Sequence, residues 1–222
     1  MTDSPLAAHV RGDLSIDQQH ALTTAATRLN SEFGDYFGVE TIERFLHSSY
    51  DQFAGKATIP NFLPLLAERW ARQRLTALAR VEGKITDTKP TVLFLCTHNA
   101  GRSQMALGFF NHLAGAQGVA WSGGSEPGNQ INPSAVQAMA EVGIDITGEF
   151  PKPWTDEIVH ASDVVVTMGC GDACPFFPGK RYENWELTDP AGQSIDAVRP
   201  IRDDIEQRVR HLLAELDITP VA

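Results

Sequence analysis

The chain is 222 residues long, 42% hydrophobic and 21% charged, with 18 Gly and 13 Pro, which fits a globular protein and excludes collagen-like, low-complexity or wholly disordered chains. Its 18 Lys and Arg against 28 Asp and Glu give a formal net charge of −10, and the excess lies almost wholly beyond residue 85, so no general affinity for nucleic acid or a membrane surface is expected, although one local pocket can still hold a small anion. No apolar run approaches the roughly 18–20 residues of a membrane helix, and Met1 to Asp13 lacks the basic and apolar regions of a signal peptide, so the expected compartment is the cytoplasm.

The first 85 residues read as helical. Ser15 is placed to cap a helix, with Gln18 as its capping-box partner. Leu22, Ala25, Ala26 and Leu29 then recur at helical spacing until Gly34. A second helix is expected from Val39 through Ile42, Phe45 and Leu46 to Phe53, stopping at Gly55. A third, its start marked by Pro60 and Pro64, carries Phe62, Leu65, Leu66, Trp70, Leu75 and Leu78 as its apolar stripe and ends near Gly83. Together they predict a small three-helix bundle. The arginines at 69, 72, 74 and 80 read as a solvated face, and no residue set here asks for catalysis. Residues 84–90 are polar and end in Pro90, which marks a linker between a domain over 1–85 and another over 90–222.

Beyond the linker, strands alternate with helices. Strands are expected over Thr91 to Leu95, Val119 to Trp121, Asp163 to Met168 and Arg181 to Leu187; helices over Ser103 to Ala114, Pro133 to Val142, Trp154 to Ala161 and about Pro200 to Leu216. That alternation predicts an α/β domain: a parallel four-stranded sheet with helices on both faces, preceded by the bundle.

The three cysteines, Cys96, Cys170 and Cys174, are too few for a secreted disulfide scaffold. The run Cys96-Thr97-His98-Asn99-Ala100-Gly101-Arg102-Ser103 follows an expected strand and opens an expected helix. A strand's carboxyl end is where an open α/β sheet binds ligands. A helix N-terminus offers unpaired N–H groups and positive dipole charge, and a guanidinium adds a two-pronged donor. The same field favours a nucleophilic thiolate at Cys96. Thr97, His98, Asn99, Ala100, Gly101, Arg102 and Ser103 are therefore candidate oxyanion-binding residues around a catalytic Cys96 and Arg102.

Cys96 to Met105 resembles the active-site loop of the low-molecular-weight protein tyrosine phosphatase fold. With Ser122 to Gly128, Ile131-Asn132-Pro133 and Gly143 to Ile146, the run from about 90 to 217 is similar to its thioredoxin-coupled arsenate reductase branch. Gly101 stands where the best-known branch has an extra cysteine, and Leu107 replaces an acidic residue of its cation site, so a bound potassium is not carried over; no other metal or cofactor is expected either.

Cys170 and Cys174 flank Gly171-Asp172-Ala173, small residues that let a disulfide close. Read alone, the pair also fits a zinc half-site completed by His160 or Cys96, or two unreactive thiols in a turn. The resemblance implies a relay: Cys96 attacks arsenate, Cys170 attacks Cys96 and expels arsenite, and Cys174 attacks Cys170, leaving a disulfide for thioredoxin. It also implies that Asp189, in Leu187-Thr188-Asp189-Pro190-Ala191-Gly192, is the general acid. No aromatic residue follows Asp189 closely, which favours a small inorganic anion over phosphotyrosine. The alternatives are a phosphatase using Cys96 alone, and a reductase resolved by mycothiol or glutathione with a redoxin. For the bundle, with charge near −1, homodimerisation is expected ahead of DNA binding.

Overall fold

The computed structural model describes residues 14–54, 62–169 and 176–221. The expected helix stop at Gly55 and the start marker Pro60 lie outside the described residues, as do Cys170 and Cys174. The chain divides into two compact units, Met1–Thr86 and Asp87–Ala222. No helix among the described residues is long and apolar enough to cross a membrane.

The first unit holds α1 (Ile16–Phe33), α2 (Val39–Ala54) and α3 (Leu63–Val81). The capping box forms as its residues dictate: Gln18 N donates to Ser15 Oγ at 3.2 Å, and Ser15 N donates to Gln18 Oε1 at 3.0 Å. Leu22, Leu29, Ile42, Leu46 and Leu75 share one core. The stripe on α3 differs from the expected one. Phe62 and Leu65 are 60% and 53% exposed, while Leu63, Ala67, Ala71 and Leu75 are buried. These four lie at i, i+4 spacing, so a helix that begins at Leu63 turns residues 62 and 65 outward.

The α3 arginines are also more engaged than a solvated face implies. Glu68 is buried between Arg28, bonded at 2.9 and 2.5 Å, and Arg72, bonded at 3.0 Å. Arg72 also reaches Glu32 at 2.7 Å. Arg74 lies over the rings of Phe45 and Trp70, 4.6 and 4.9 Å from their centroids.

The second unit runs β1 (Thr91–Cys96), α4 (Arg102–Ala114), β2 (Val119–Gly124), α5 (Pro133–Ala140), α6 (Asp156–Ala161), β3 (Val164–Met168), β4 (Arg181–Asn184) and α7 (Ile195–Glu215). All four strands are parallel, in the order β2-β1-β3-β4. Every residue of β1 is buried, as an interior strand covered on both faces requires. Val92, Phe94 and Cys96 join a core with α4, α5 and α7. Leu93 and Leu95 alternate to the other face, and α6 packs against the same strand.

The chain leaves β1 toward β2 and later returns to β1's other side as β3, so the order reverses beside the carboxyl end of β1. Such a reversal opens a crevice for a ligand. Cys96 lies there, in register with Gly124 on one neighbour and Met168 on the other.

The last helix starts earlier than expected. Ser194 caps α7, its hydroxyl accepting from Ala197 N at 3.4 Å, and Pro200 lies inside the helix. At the sixth helical position Pro200 forgoes one bond inside the helix, a cost that the Ser194 cap and the buried Val198, Ile201 and Ile205 offset.

Candidate active site

The segment between β1 and α4 wraps around Cys96. Its carbonyls are all engaged. Thr97 O accepts from Glu126 N, His98 O from Gly128 N, Ala100 O from Asn132 N, and Gly101 O from Gln104 N and Met105 N, all within 3.1 Å. Asn99 O accepts from Gln104 Nε2 at 3.0 Å. Among the described residues, no protein acceptor takes the N–H groups from His98 to Ser103. A loop whose carbonyls are tied down and whose N–H groups are free to donate is built for an anion.

Two features make this wrap possible. Asn99 adopts a left-handed φ of +46°, which asparagine accepts more readily than most residues. Gly124 passes so close that a Cβ there would lie 2.6 Å from Thr97 O and 2.9 Å from Asn99 N.

Asn99 is buried and organises the layer beneath. Its Nδ2 donates to Ser103 Oγ at 2.9 Å, and its Oδ1 accepts from Gln104 Nε2 at 3.1 Å and Lys152 N at 3.0 Å. Ser103 Oγ lies 3.0 Å from Cys96 Sγ. The Lys152 side chain is 1% exposed. Its Nζ donates to Ser122 Oγ at 3.3 Å and Phe150 O at 3.4 Å, and Glu149 Oε2 lies 3.6 Å away. A buried ammonium with this many oxygen partners is a compensated charge. Behind the loop it adds a positive centre to a strongly acidic unit.

Arg102, at the first position of α4, is buried. Its Nη2 donates to Asp189 Oδ2 at 2.6 Å and its Nη1 to Leu187 O at 3.4 Å. Asp189 is half-exposed, and its Oδ1 accepts from Ala191 N at 3.0 Å. Asn132 links the Asp189 segment to the rest: its Nδ2 donates to Pro190 O at 3.2 Å, and its Oδ1 caps α5 by accepting from Ser134 N and Ala135 N. The resulting cavity has about 30 Å³ of free space and is lined by Cys96, His98, Ala100, Gly101, Arg102, Asn132 and Asp189 to Ala191. That is room for roughly two waters or one small anion.

Of the sequence-derived candidates, Cys96, His98, Ala100, Gly101, Arg102 and Asp189 thus meet around one cavity. Asn99 and Ser103 support it from below. Thr97 points its hydroxyl to Gly169 O at 3.1 Å, and His98 Nδ1 lies 3.0 Å from Glu126 O. Gly169, at φ +76°, brings β3's end against Arg102: a Cβ there would lie 2.8 Å from Nη1. Cys170 and Cys174 lie outside the described residues. Asn132, Gln104 and Lys152 were not among the candidates. Only Asn132 carries a local signal, as an N-cap before Pro133; the other two gain their roles from tertiary packing.

The model of the family described as low molecular weight phosphotyrosine protein phosphatase matches residues 91–220. Residues 22–79 match the protein-tyrosine-phosphatase-like N-terminal domain. Arsenate reductase 2 of Staphylococcus epidermidis is 40% identical over 125 residues, which are 54% of this chain and 94% of the relative. The glutaredoxin arsenate reductase of Synechocystis is 37% identical over 128 residues, 56% of this chain and 97% of the relative. Among solved structures, the thioredoxin-dependent arsenate reductase of Corynebacterium glutamicum superposes with a TM-score of 0.80 at 42% identity, covering 89% of this chain and 97% of that one.

Proposed function

The chain belongs to the low molecular weight phosphotyrosine protein phosphatase family, and from that premise we infer that it is an arsenate reductase that lets thioredoxin restore its thiols. The observation that carries this reading is one cavity sized for a small oxoanion, with the Cys96 sulfur, the Arg102 guanidinium and the Asp189 carboxyl on its wall. The likeness to the Corynebacterium enzyme spans both units' sequence and supplies the thioredoxin dependence. Ala191 at the rim supports an inorganic substrate, since no aromatic side chain follows Asp189 to stack on a tyrosyl ring.

The chemistry proceeds in three exchanges. Cys96 Sγ attacks arsenic(V) while Arg102 and the loop N–H groups hold the oxygens. Asp189 gives its proton to the departing oxygen, which leaves as water. Cys170 then attacks Cys96 Sγ; the S–S bond forms, the S–As pair stays on arsenic, and arsenite departs. Cys174 attacks Cys170 in turn, freeing Cys96 as a thiolate, and a dithiol of thioredoxin reduces the Cys170–Cys174 disulfide. Such a cycle belongs in a reducing compartment, the cytoplasm. In this reading residues 90–222 form the catalytic domain, and residues 1–85 form a separate helical domain that pairs two copies of the chain.

Arsenate-dependent NADPH oxidation with thioredoxin and thioredoxin reductase tests it. The full chain should turn over continuously, and each of Cys96→Ser, Cys170→Ser and Cys174→Ser should abolish turnover. If Cys170→Ser still cycles, the relay is wrong. If glutathione or mycothiol with a redoxin supports turnover and Cys174→Ser cycles with it, the resolving thiol is a small molecule.

A further inference from the structure

Arg102 is the natural partner of any oxoanion in the cavity, yet the structure already gives it an anion: Asp189 Oδ2, 2.6 Å from Nη2. With about 30 Å³ available between Cys96, Arg102 and Asp189, an oxoanion touches the guanidinium only by lying next to the carboxylate. Two negative charges in contact repel even though Asp189 is half-exposed to water, and protonation of one of them is the usual relief.

Asp189 has little freedom to swing away instead. Its Oδ1 is held by Ala191 N, and Pro190 O by Asn132 Nδ2. Pro190 itself lies against the loop, where a Cβ on Gly101 would come within 2.6 Å of its Cγ. The segment that follows the carboxyl is held at Pro190 and Ala191, and Leu187 O before it accepts from Arg102 Nη1 at 3.4 Å.

We propose that oxoanion binding is coupled to uptake of one proton by Asp189. The Arg102–Asp189 ion pair of the free protein is exchanged for an Arg102–oxoanion pair, and the carboxylate becomes the carboxylic acid. A dianion and one proton enter, and no electrons move. The exchange deepens the proposed function, because it loads the general acid only when substrate is present. Other titratable groups face the same space. Cys96 and His98 line the cavity, and Lys152 lies behind Asn99, bonded to Ser122 and Phe150. Cys96 and His98 are competing proton acceptors, so the test removes Cys96 and reads uptake by His98 as whatever survives Asp189→Asn.

Isothermal titration calorimetry of the reduced full-length chain with sodium sulfate, in two buffers of different ionisation enthalpy, counts the protons taken up. Sulfate brings none of its own near neutral pH. In Cys96→Ser, close to one proton per sulfate is expected, with affinity falling by up to about tenfold per pH unit as pH rises. In Cys96→Ser with Asp189→Asn, uptake should vanish, and sulfate should bind more tightly with little pH dependence. Inorganic phosphate, which carries a proton in its monoanion, should show smaller uptake than sulfate. Binding without uptake in Cys96→Ser, or uptake that survives Asp189→Asn, overturns the proposal. The wild-type chain supplies the reading if a variant does not fold: sulfate binding with no proton taken up overturns it equally. A chain that reduces arsenate with thioredoxin but binds sulfate without protons contradicts this coupling alone. Proton-linked sulfate binding without arsenate reduction contradicts the functional reading alone, and failure to bind any oxoanion removes both.

Discussion

Ser103 Oγ lies 3.0 Å from Cys96 Sγ and accepts a hydrogen bond from Asn99 Nδ2 at 2.9 Å. A hydroxyl has one hydrogen and two acceptor sites; Asn99 takes one of these sites, and a thiolate at Cys96, which has no hydrogen of its own, can only accept the hydroxyl's. Ser103 therefore stabilises negative charge on Cys96. A hydrogen bond to a charged group contributes about 1.5–3 kcal/mol, so Ser103→Ala should slow alkylation of Cys96 by iodoacetamide at pH 7 by about tenfold or more. Alkylation at the wild-type rate would contradict that role.

Gly101 controls the position of Asp189. Gly101→Ala places a methyl carbon 2.6 Å from Pro190 Cγ, and the Asp189 segment must shift. A displacement of about 1 Å in a catalytic group costs on the order of 10²-fold in rate. The expected result is a kcat for arsenate lowered by between about tenfold and a hundredfold, with sulfate affinity held within a few-fold because the N–H cradle and Arg102 remain. Equal losses in kcat and in sulfate affinity would instead mean that the whole loop had moved.

Lys152→Met keeps the side chain's length and removes the ammonium that Ser122, Phe150 and Glu149 surround. Breaking a fully buried pair costs about 3–5 kcal/mol; because Glu149 is partly exposed, about 1–3 kcal/mol is expected here. Urea denaturation of the full chain measures it, and an unchanged midpoint would show the charge to be dispensable for folding.

Acid should weaken the helical unit through Glu68. Its hydrogen bond from Arg28 first, and then that from Arg72, hold the carboxyl below its ordinary value of 4.5 against the opposing effect of burial. A carboxyl lowered in the folded state stabilises above its unfolded value, and that contribution is lost as pH falls through the folded one. Half-exposed Arg28 limits the effect to about 1 kcal/mol, or roughly 4–8 °C for a domain of this size. Thermal melts of the full chain from pH 7 down to pH 3.5 should show a steeper loss for wild type than for Glu68→Gln; parallel slopes would contradict it.

Much of this organisation is legible in the residues themselves. The Cys96–Ser103 loop is readable because a strand of buried apolar residues, a loop ending in Arg102 and a helix are contiguous in sequence. The Ser15 capping box is readable because its bonds span three residues. Legibility fails where the determinant is distant. Lys152, in a Pro-Lys-Pro run, looks like an ordinary loop residue until Ser122 and Asn99 close around it. Glu68 looks like a surface acid until Arg28, forty residues away, reaches it. Pro200 reads as a helix start by local rule, but the Ser194 cap overrides it. The exposure of Phe62 and Leu65 depends on where α3 begins, a boundary that periodicity alone fixes poorly.

The relay itself is tested most directly by a single turnover. Reduced Cys174→Ser, mixed with excess arsenate and quenched with acid, is digested without reductant and its peptides are weighed. The account predicts one arsenite released per chain and a disulfide joining the peptides of Cys96 and Cys170, two mass units lighter than the free pair. Arsenite released while Cys170 remains a free thiol, or no arsenite released at all, would contradict it.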